Sequence, residues 1–392
     1  MNWRLARISV AGVASLALFA AGCGSSSSTT SSGTPAATTT AGATSATNAS
    51  ATKTNALAGK TLCISNPVTV DLLTQAWADM NQAAKQSGNG LHIDVTTANG
   101  NTSMQLSQAS QMVTSGNCSA IAAVPLDGAG WNSVVAAAQK KGIPFFNHSS
   151  EVIKGVTEFY ALNQYQGGYN VGKVAGQWLN SHNPSAGVGV IDDPSSSGLH
   201  ARAQGFTTAV KATDPKAQIY TAGEAGADTP SGATAASNLL VAHSNIAVLF
   251  GYNDPTGLGA YQAAVSAGHT DPSKFFVSSV DGTTQSIQKI AQGTIYQAVA
   301  SYWFRYSFPA MERDIERVLL GQTVPKTAVI TGNLITKANA NAALAALANP
   351  FAPANSPSVW CKALGFTNVV ATGSEPPPPS QNGCRAAVIP KG

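Results

Sequence analysis

Charged side chains are scarce in this chain. Asp, Glu, Lys and Arg make up 10% of its 392 residues, and the formal net charge is only +4. A globular protein usually has about a quarter of its residues charged. The sequence has no basic stripe, so a nucleic-acid partner is not expected. After residue 21 no apolar run approaches the roughly 18 residues of a membrane-spanning helix, so the folded body is expected to be soluble.

Residue patterns typical of catalysis are missing as well. The six histidines show no paired ligand spacing, so neither a metal site nor a cofactor is expected. Gly187 and Gly189 follow a strand-like run but lack the third glycine of a dinucleotide-binding loop. Asp192, Ser197 and His200 could form a triad, but one loop rarely supplies all three members. The sequence therefore favours a protein that is not an enzyme, with a hydrolase as the least favoured alternative.

The first 22 residues have the pattern of a signal peptide. Arg4 and Arg7 precede a small-apolar run over residues 8–21, which is too short to span a membrane. Residues 20–23, Ala-Ala-Gly-Cys, resemble the lipobox of bacterial lipoproteins, in which cleavage leaves a lipid-modified cysteine at the N-terminus. We therefore expect an extracytoplasmic protein that is anchored to the cell membrane through lipidated Cys23. An ordinary signal peptide with an incidental cysteine is the alternative.

The segments on either side of the body have unusual compositions. Residues 23–58 are almost wholly Ser, Thr, Ala and Gly, which predicts a flexible linker after the lipidated cysteine. The body that follows is longer than a single core usually supports, so two lobes are expected. Residues 351–392 are rich in proline, which disfavours regular structure. We interpret them as an extension that wraps back over one lobe.

Four cysteines remain once Cys23 is assigned to lipid. They are Cys63, Cys118, Cys361 and Cys384, and an even number in an oxidising compartment suggests two disulfides. Four cysteines allow three connectivities. We favour Cys361 with Cys384, because they bracket the Pro-rich stretch, and therefore Cys63 with Cys118. The alternative is that Cys63 and Cys118 are buried thiols.

Strand-like and helix-like segments alternate through the body. The predicted strands are 61–65, 91–96, 120–125, 145–148, 157–162, 187–192, 218–222, 247–251 and 275–280. Helices are predicted over 71–86, 102–115 and 130–141, from residues 166, 199, 229 and 256, and over 338–348. Gly88, Gly116 and Gly142 stand where the first three helices should end. This alternation predicts an α/β protein with two parallel sheets.

Polar side chains follow many of these strands. The residues are Asn66, Asp127, His148, Ser149 and Asn163 in the first series and Asp192, Asn253 and Asp281 in the second, with Tyr302 and Trp303 at a return crossing. Ligands of open parallel sheets bind beyond the carboxyl ends of the strands. Amide and carboxylate groups suit a neutral ligand rich in hydroxyls, and the aromatic faces would cover its ring carbons. The alternative is that Asn and Asp only end strands and cap helices.

Several stretches occur together in a characteristic order. They are residues 120–127 (AIAAVPLD), 141–144 (KGIP), 163–168 (NQYQGG), 202–206 (RAQGF), 253–260 (NDPTGLGA) and 280–282 (VDG). With them, residues 59–339 resemble the type I periplasmic solute-binding proteins, the ribose and galactose binders of ABC importers. The resemblance implies two Rossmann-like lobes joined by a three-stranded hinge near Asn163, Ser301 and residues 331–333. It places residues 59–162 plus 302–332 in the N-terminal lobe and 163–301, with part of 333–350, in the C-terminal lobe.

The resemblance also implies roles for individual residues. Asn253 and Asp281 match positions that hydrogen-bond ligand hydroxyls, and Asn163 matches a hinge amide. His200 stands where the family often has its first arginine after the fifth-strand loop, and Arg202 matches the second. Two further departures are Ser149-Ser150 in place of an Asp-Arg pair and Ser301 in place of a hinge glutamine. The complete set of expected ligand-binding residues is Asn66, Asp127, His148, Ser149, Asn163, His200, Arg202, Asn253, Asp281 and Trp303.

The function that the resemblance implies is capture of a small neutral ligand. We expect a monomeric, lipid-anchored binding protein that closes on a sugar or sugar-like compound and delivers it to an ABC permease in the membrane. A receptor that presents its closed form to a membrane sensor is the alternative, because the same fold and site would serve both.

Overall fold

The computed structural model describes residues 55–149, 151–224, 226–351 and 370–372. The strands are β1 Thr61–Asn66, β2 His92–Thr97, β3 Ala120–Ala123, β4 Phe145–Ser149, β5 Glu158–Asn163, β6 Gly187–Asp192, β7 Gln218–Gly223, β8 Ile246–Gly251, β9 Phe276–Asp281, β10 Tyr296–Ser301, β11 Thr327–Thr331, β12 Asn333–Thr336 and β13 Val370–Thr372. The helices are α1 Asp71–Ser87, α2 Thr102–Ser115, α3 Trp131–Lys140, α4 Gln164–His182, α5 Ser197–Thr213, α6 Thr229–Ala242, α7 Asp254–Ser266, α8 Thr284–Gln292, α9 Phe304–Leu319 and α10 Ala340–Ala348.

Two sheets form the centres of two lobes. The first sheet has the order β13-β11-β5-β4-β3-β1-β2, and the second has the order β12-β10-β9-β8-β6-β7. Every neighbouring pair is parallel except β11 with β13 and β10 with β12. Helices cover the sheets, with α1, α2, α3 and α9 in the first lobe and α4 to α8 and α10 in the second. The predicted fold class is confirmed.

The chain crosses between the lobes three times. It leaves the first sheet after Asn163, returns after Ser301, and passes from β11 to β12 through Gly332. The first two crossings follow the carboxyl ends of β5 and β10. The hinge therefore lies at the sheet edges where ligands of parallel sheets are expected.

Helix ends follow the local chemistry that the sequence predicts. Gly88 and Gly116 end α1 and α2 in the left-handed conformation, with φ of 71° and 77°. The third prediction is one residue too late, because α3 is capped by Lys141 and Gly142 follows the cap. The sequence pattern did not predict α8, α9 or the strands from β10 onward.

The body starts earlier than predicted. Residues 55–58 belong to the folded part rather than to the linker, because Leu57 is fully buried against the core and its amide donates to the Asn89 carbonyl. The Pro-rich extension also contains regular structure where β13 pairs with β11. Val370 stands in a proline-free part of that extension, so nothing there prevents strand pairing. Cys23, Cys361 and Cys384 lie outside the described residues.

One predicted disulfide is present. Cys63 on β1 is bonded to Cys118, which directly precedes the neighbouring strand β3, and their Cα atoms are 5.6 Å apart. The alternative of two buried thiols is therefore wrong. Within the part of the chain that the structure covers, no helix is both long and apolar enough to cross a membrane.

Candidate functional site

The carboxyl ends of both sheets carry the polar residues predicted for the site. Asn66, Ser149 and Asn163 are the last residues of β1, β4 and β5 in the first lobe. Asp192 and Asp281 are the last residues of β6 and β9 in the second. Since the hinge crossings start from the same ends, these residues lie on the edges that border the gap between the lobes.

Helix α5 presents Arg202 at this edge because it packs unusually close to α4. A Cβ atom added at Gly168 would collide with the carbonyl oxygen of Arg202, and one at Gly172 would collide with that of Phe206. Only glycine allows the two backbones to approach this far. The close packing places the Arg202 side chain beside the start of α4, where the chain leaves the hinge.

Arg202 is the centre of a buried polar cluster. Its Nη1 donates to Asp281 Oδ1 and to the Tyr252 carbonyl, both at 2.9 Å, and its Nε donates to Gln164 Oε1. The guanidinium carbon lies 5.2 Å from the centre of the Tyr302 ring, a cation–π distance. Arg202 is 3% exposed. The positive charge is therefore almost wholly neutralised inside the protein.

Asp281 is held in an uncommon backbone conformation. Its φ is +138°, a region that side chains other than glycine rarely adopt. The next residue must be glycine, because a Cβ atom at Gly282 would collide with Ser301. The Asp281 carbonyl accepts a hydrogen bond from the amide of Tyr302 at 3.1 Å. Strand β9 thus ends in a tight corner that sets the direction of the Asp281 carboxylate.

A second buried carboxylate, Asp254, lies beside Asp281. It accepts hydrogen bonds from the Ser286 hydroxyl and the Thr283 amide, each at 2.6 Å, and from the Ser279 hydroxyl. Burial, and then the neighbouring charge of Asp281, raise the pKa of Asp254 to about 6. Burial also raises the pKa of Asp281, and Arg202 opposes this rise. The cluster is therefore a preorganised but electrostatically costly arrangement.

The three crossings are joined to each other. The Tyr302 hydroxyl in the second crossing donates to the Asn163 carbonyl or to Gln164 Oε1 in the first, each at 3.1 Å. Asn170 on α4 donates to the carbonyl of Gly332 in the third crossing at 2.7 Å. Asn163 itself caps α4 by accepting from the Gln166 amide. These contacts give the hinge a defined geometry.

Two predicted site residues lie in the protein interior. His148 is 1% exposed, shares a hydrogen bond of 2.9 Å with the Ser307 hydroxyl, and stacks on Phe308 at 4.1 Å. Burial lowers the pKa of His148 to about 3, so the ring is neutral. Trp303 is also buried, in the left-handed conformation that starts α9. In this arrangement neither ring presents a surface to a ligand.

Other predicted residues make local bonds at the strand ends. Asn66 accepts from the Trp77 indole at 2.9 Å and donates to Val68 and Thr97. Asn253 caps α7 by accepting from the Thr256 amide at 2.8 Å, and its amide group donates to the carbonyl of Ala227. Exposed Asp127 accepts from the Ala129 amide in its own turn. These bonds fit the interpretation that single Asn and Asp residues form local bonds at strand and helix ends. The three side chains nevertheless stay close to the gap between the lobes.

A hydrogen bond at the rim of the gap joins the two lobes. The Ser197 hydroxyl on α5 donates to Glu151 Oε1, in the loop after β4, at 3.3 Å. Nearby, His200 Nδ1 lies 2.8 Å from Asp192 Oδ2. The other ring nitrogen, Nε2, is hydrogen-bonded to the side-chain amide of Gln204. Ser197 is bonded to Glu151 rather than to His200, so the geometry does not form the triad that the sequence allowed.

The sequence did not reveal that Gln164 and Asp254 complete the buried cluster. They lie in the stretches 163–168 and 253–260, directly after the predicted residues Asn163 and Asn253, but neither was among the expected ligand-binding residues. The pairing of Arg202 with Asp281 joins residues 79 positions apart, which no local pattern reveals. Among the residues described, no group of three His, Cys, Asp or Glu side chains could hold a metal ion.

A family model described as "Periplasmic binding protein domain" matches residues 64–312. The ribose import binding protein of Escherichia coli (strain K12) is 26% identical over 294 residues, which cover 74% of this chain and 93% of that protein. The ribose import binding protein of Bacillus subtilis (strain 168) is 25% identical over 213 residues, covering 54% of this chain and 66% of that protein.

Solved structures show the same fold. A protein from Mycobacterium smegmatis in complex with β-D-fucofuranose has a TM-score of 0.67 at 20% identity, covering 80% of this chain and all of that chain. An ABC transporter solute-binding protein from Bacillus halodurans with bound myo-inositol has a TM-score of 0.66 at 19% identity, covering 74% of this chain and 98% of that one. A solute-binding protein from Actinobacillus succinogenes with bound D-allose has a TM-score of 0.64 at 20% identity, with 72% and 98% covered.

Proposed function

Since the chain belongs to the periplasmic binding protein domain family, we propose that it is the solute-binding protein of an ABC importer and that it binds a sugar or a sugar-like polyol. The family and the named relatives are binding proteins and not enzymes. The observation that carries the ligand class is the polar edge of the second lobe, where Asp281 and Asn253 border the gap. Carboxylate and amide groups match the mixed donors and acceptors of hydroxyls.

The names of the relatives support the same ligand class. They include a ribose import protein and structures with D-allose, β-D-fucofuranose and myo-inositol, all neutral molecules rich in hydroxyls. Three features separate this chain from the expected pattern. Ser301 stands in place of a hinge glutamine, His200 in place of an arginine, and Ser149-Ser150 in place of an Asp-Arg pair. Three polar anchors are therefore smaller or neutral, and we do not assign a particular sugar.

Closure of the two lobes on the ligand is the proposed mechanism. Residues 59–162 and 302–332 would form the N-terminal lobe, and residues 163–301, with part of 333–350, the C-terminal lobe. A ligand that bonds to both lobes favours the closed state by its differential affinity for that state. The hydrogen bond from Ser197 to Glu151 would close the rim on one side. The permease would then recognise the closed form.

A thermal-shift screen tests the ligand class. The purified full-length protein is mixed with D-ribose, D-allose, L-arabinose, D-galactose, myo-inositol and glycerol, and with amino acids and nucleosides as comparison classes. At 100 times its Kd, a ligand adds about 2.7 kcal/mol of stability, so at least one sugar or polyol should raise the melting temperature clearly. A response to amino acids or nucleosides alone would contradict the proposal.

Two substitutions locate the response. Asn253→Ala and Asp281→Ala should each abolish most of the sugar-induced shift, because each removes a polar group from the edge of the second lobe. Asp94→Asn, on the exposed strand β2, is the matched control and should respond like the wild type. An undiminished shift in both site variants would place the ligand elsewhere.

We also propose that lipidated Cys23 anchors the exported monomer to the outer side of the cell membrane. The sequence of residues 20–23 supports this proposal. In a bacterial host, Cys23→Ser should move the protein from the membrane fraction to the soluble extracytoplasmic fraction, as detected by immunoblotting. Equal membrane retention of both forms would contradict lipid anchoring.

A further inference from the structure

Arg202 has few donors left for a ligand. Nη1 gives both of its protons to Asp281 and the Tyr252 carbonyl, and Nε gives its proton to Gln164. Three of the five N–H donors of an arginine are therefore used inside the protein. One face of the guanidinium is covered by the Tyr302 ring. Although Arg202 is predicted to bind ligand, the contacts described for it are with other residues of the protein.

The contacts of Arg202 lead to the hinge. Gln164 is the first residue of α4, directly after the first crossing, and Tyr302 lies in the second crossing. Gln164 Oε1 is also within 3.1 Å of the Tyr302 hydroxyl, so Arg202 and Tyr302 share it as an acceptor. Because all three are buried, no solvent competes for these bonds.

Asp281 is joined to the same hinge twice. Its carboxylate reaches Gln164 and Tyr302 through Arg202, and its carbonyl accepts directly from the Tyr302 amide at 3.1 Å. The backbone corner at Asp281 and the bond from Arg202 together fix the direction of the carboxylate. A change at either crossing is therefore expected to move the carboxylate, and the reverse also holds.

We propose that Arg202 is a positioning residue that ties Asp281 to the first two hinge crossings, so that ligand binding at Asp281 and closure of the lobes are coupled. This inference rests on the proposed binding function. It differs from the assignment of Arg202 as a ligand contact, because its effect on affinity passes through Gln164 and Tyr302. Substitutions at Gln164 should therefore weaken binding although this residue is not among the proposed ligand contacts.

The test compares two variants with one control. Arg202→Lys keeps the charge but loses the planar fork that bonds to several partners at once. Gln164→Met removes the shared acceptor and keeps the volume. Gln177→Met is the matched control, since Gln177 lies on the exposed face of the same helix. Affinity is measured by calorimetry with the sugar that gives the largest thermal shift.

The proposed coupling predicts that Arg202→Lys and Gln164→Met lose similar amounts of affinity and that these losses do not add in the double variant. Arg202→Lys and Gln164→Met should each raise the Kd at least tenfold. The Kd of the double variant should be no more than about threefold higher than that of Arg202→Lys, because both substitutions break the same contact between Arg202 and Gln164. The control should bind as the wild type does. Wild-type affinity in Gln164→Met together with a large loss in Arg202→Lys would overturn the proposal in favour of a direct ligand contact.

A second measurement needs no sugar. Hydrogen exchange of the peptide containing Tyr302 reports on the bond from its amide to the Asp281 carbonyl. In the absence of any ligand, Arg202→Lys and Gln164→Met should each speed this exchange at least tenfold, and Gln177→Met should leave it unchanged. Unchanged exchange in both variants would overturn the proposal.

The two measurements separate the two hypotheses. If no sugar or polyol binds the wild type, the proposed function is wrong. The exchange rates alone then test whether Arg202 ties Asp281 to the hinge crossings. If Gln164→Met does not fold, Tyr302→Phe replaces it, since this variant loses the hydroxyl that reaches the first crossing and keeps the ring under the guanidinium. It should then give the same tenfold changes, and wild-type values would overturn the proposal.

Discussion

Two buried glutamates carry an energetic cost that depends on pH. Glu158 starts β5 beside Asp314, and Glu312 lies on α9 beside Glu316, both with their side chains removed from solvent. Burial, reinforced by the neighbouring carboxylates, raises the pKa of each to about 9. Both are therefore neutral in the folded protein at pH 7, whereas in the unfolded chain they ionise near the usual value of about 4.5.

This difference predicts that stability falls as the pH rises. Between about pH 4.5 and 9 the folded state binds more protons than the unfolded state, so unfolding becomes easier with a slope of at most about 1.4 kcal/mol per pH unit for each group. Glu158→Gln and Glu312→Gln should be more stable than the wild type at pH 8 and about equal to it at pH 4.5. Urea denaturation at both values measures this, with Asp94→Asn as the exposed control. Equal stability of wild type and variants at pH 8 would show that the glutamates are ionised in the fold.

At the scale of elements, the contact between α4 and α5 sets the site. The glycines of α4 allow the backbones of α4 and α5 to come into direct contact, and this close packing places Arg202 beside the hinge. The spacing of residues 168, 172 and 176 was visible in the sequence, but its consequence required knowing which helix lies opposite. Helix packing of this kind is a tertiary property that periodicity alone does not report.

The packing predicts a large effect from one methyl group. Gly172→Ala would place Cβ against the Phe206 carbonyl, so the helices must separate, and we expect a loss of about 2 kcal/mol or more. Gly223→Ala is the control, because no atom lies within 4 Å of the place that its new methyl group would occupy and its φ is not positive. Urea unfolding compares the two variants. A neutral Gly172→Ala would show that the helices do not depend on this close approach.

At the scale of the molecule, the sequence was sufficient for the fold and only partly for the site. Alternating strands and helices, with Gly88 and Gly116 as helix ends, predicted parallel sheets because these signals are local. The positions of Cys63 and Cys118 at the edges of neighbouring predicted strands likewise supported their pairing. The buried cluster around Arg202 could not be predicted, because its members come from five separate parts of the chain and meet only after the lobes have formed.

The burial of His148 shows the same limit. A polar residue at the end of a strand was a reasonable ligand contact, but the aromatic side chains of α9 cover it, and α9 was not predicted from the sequence. Sequence patterns therefore identify the edge of the sheet that carries the site, and packing decides which of its side chains remain accessible.

The proposed function requires the two lobes to close on a sugar or polyol. Small-angle X-ray scattering of the purified full-length protein, with and without the compound that gives the largest thermal shift, measures this closure. We expect a smaller radius of gyration at saturating ligand, and no contraction for Asp281→Ala at the same concentration. A scattering profile that remains identical at saturation, while calorimetry shows that the ligand is bound, would contradict closure.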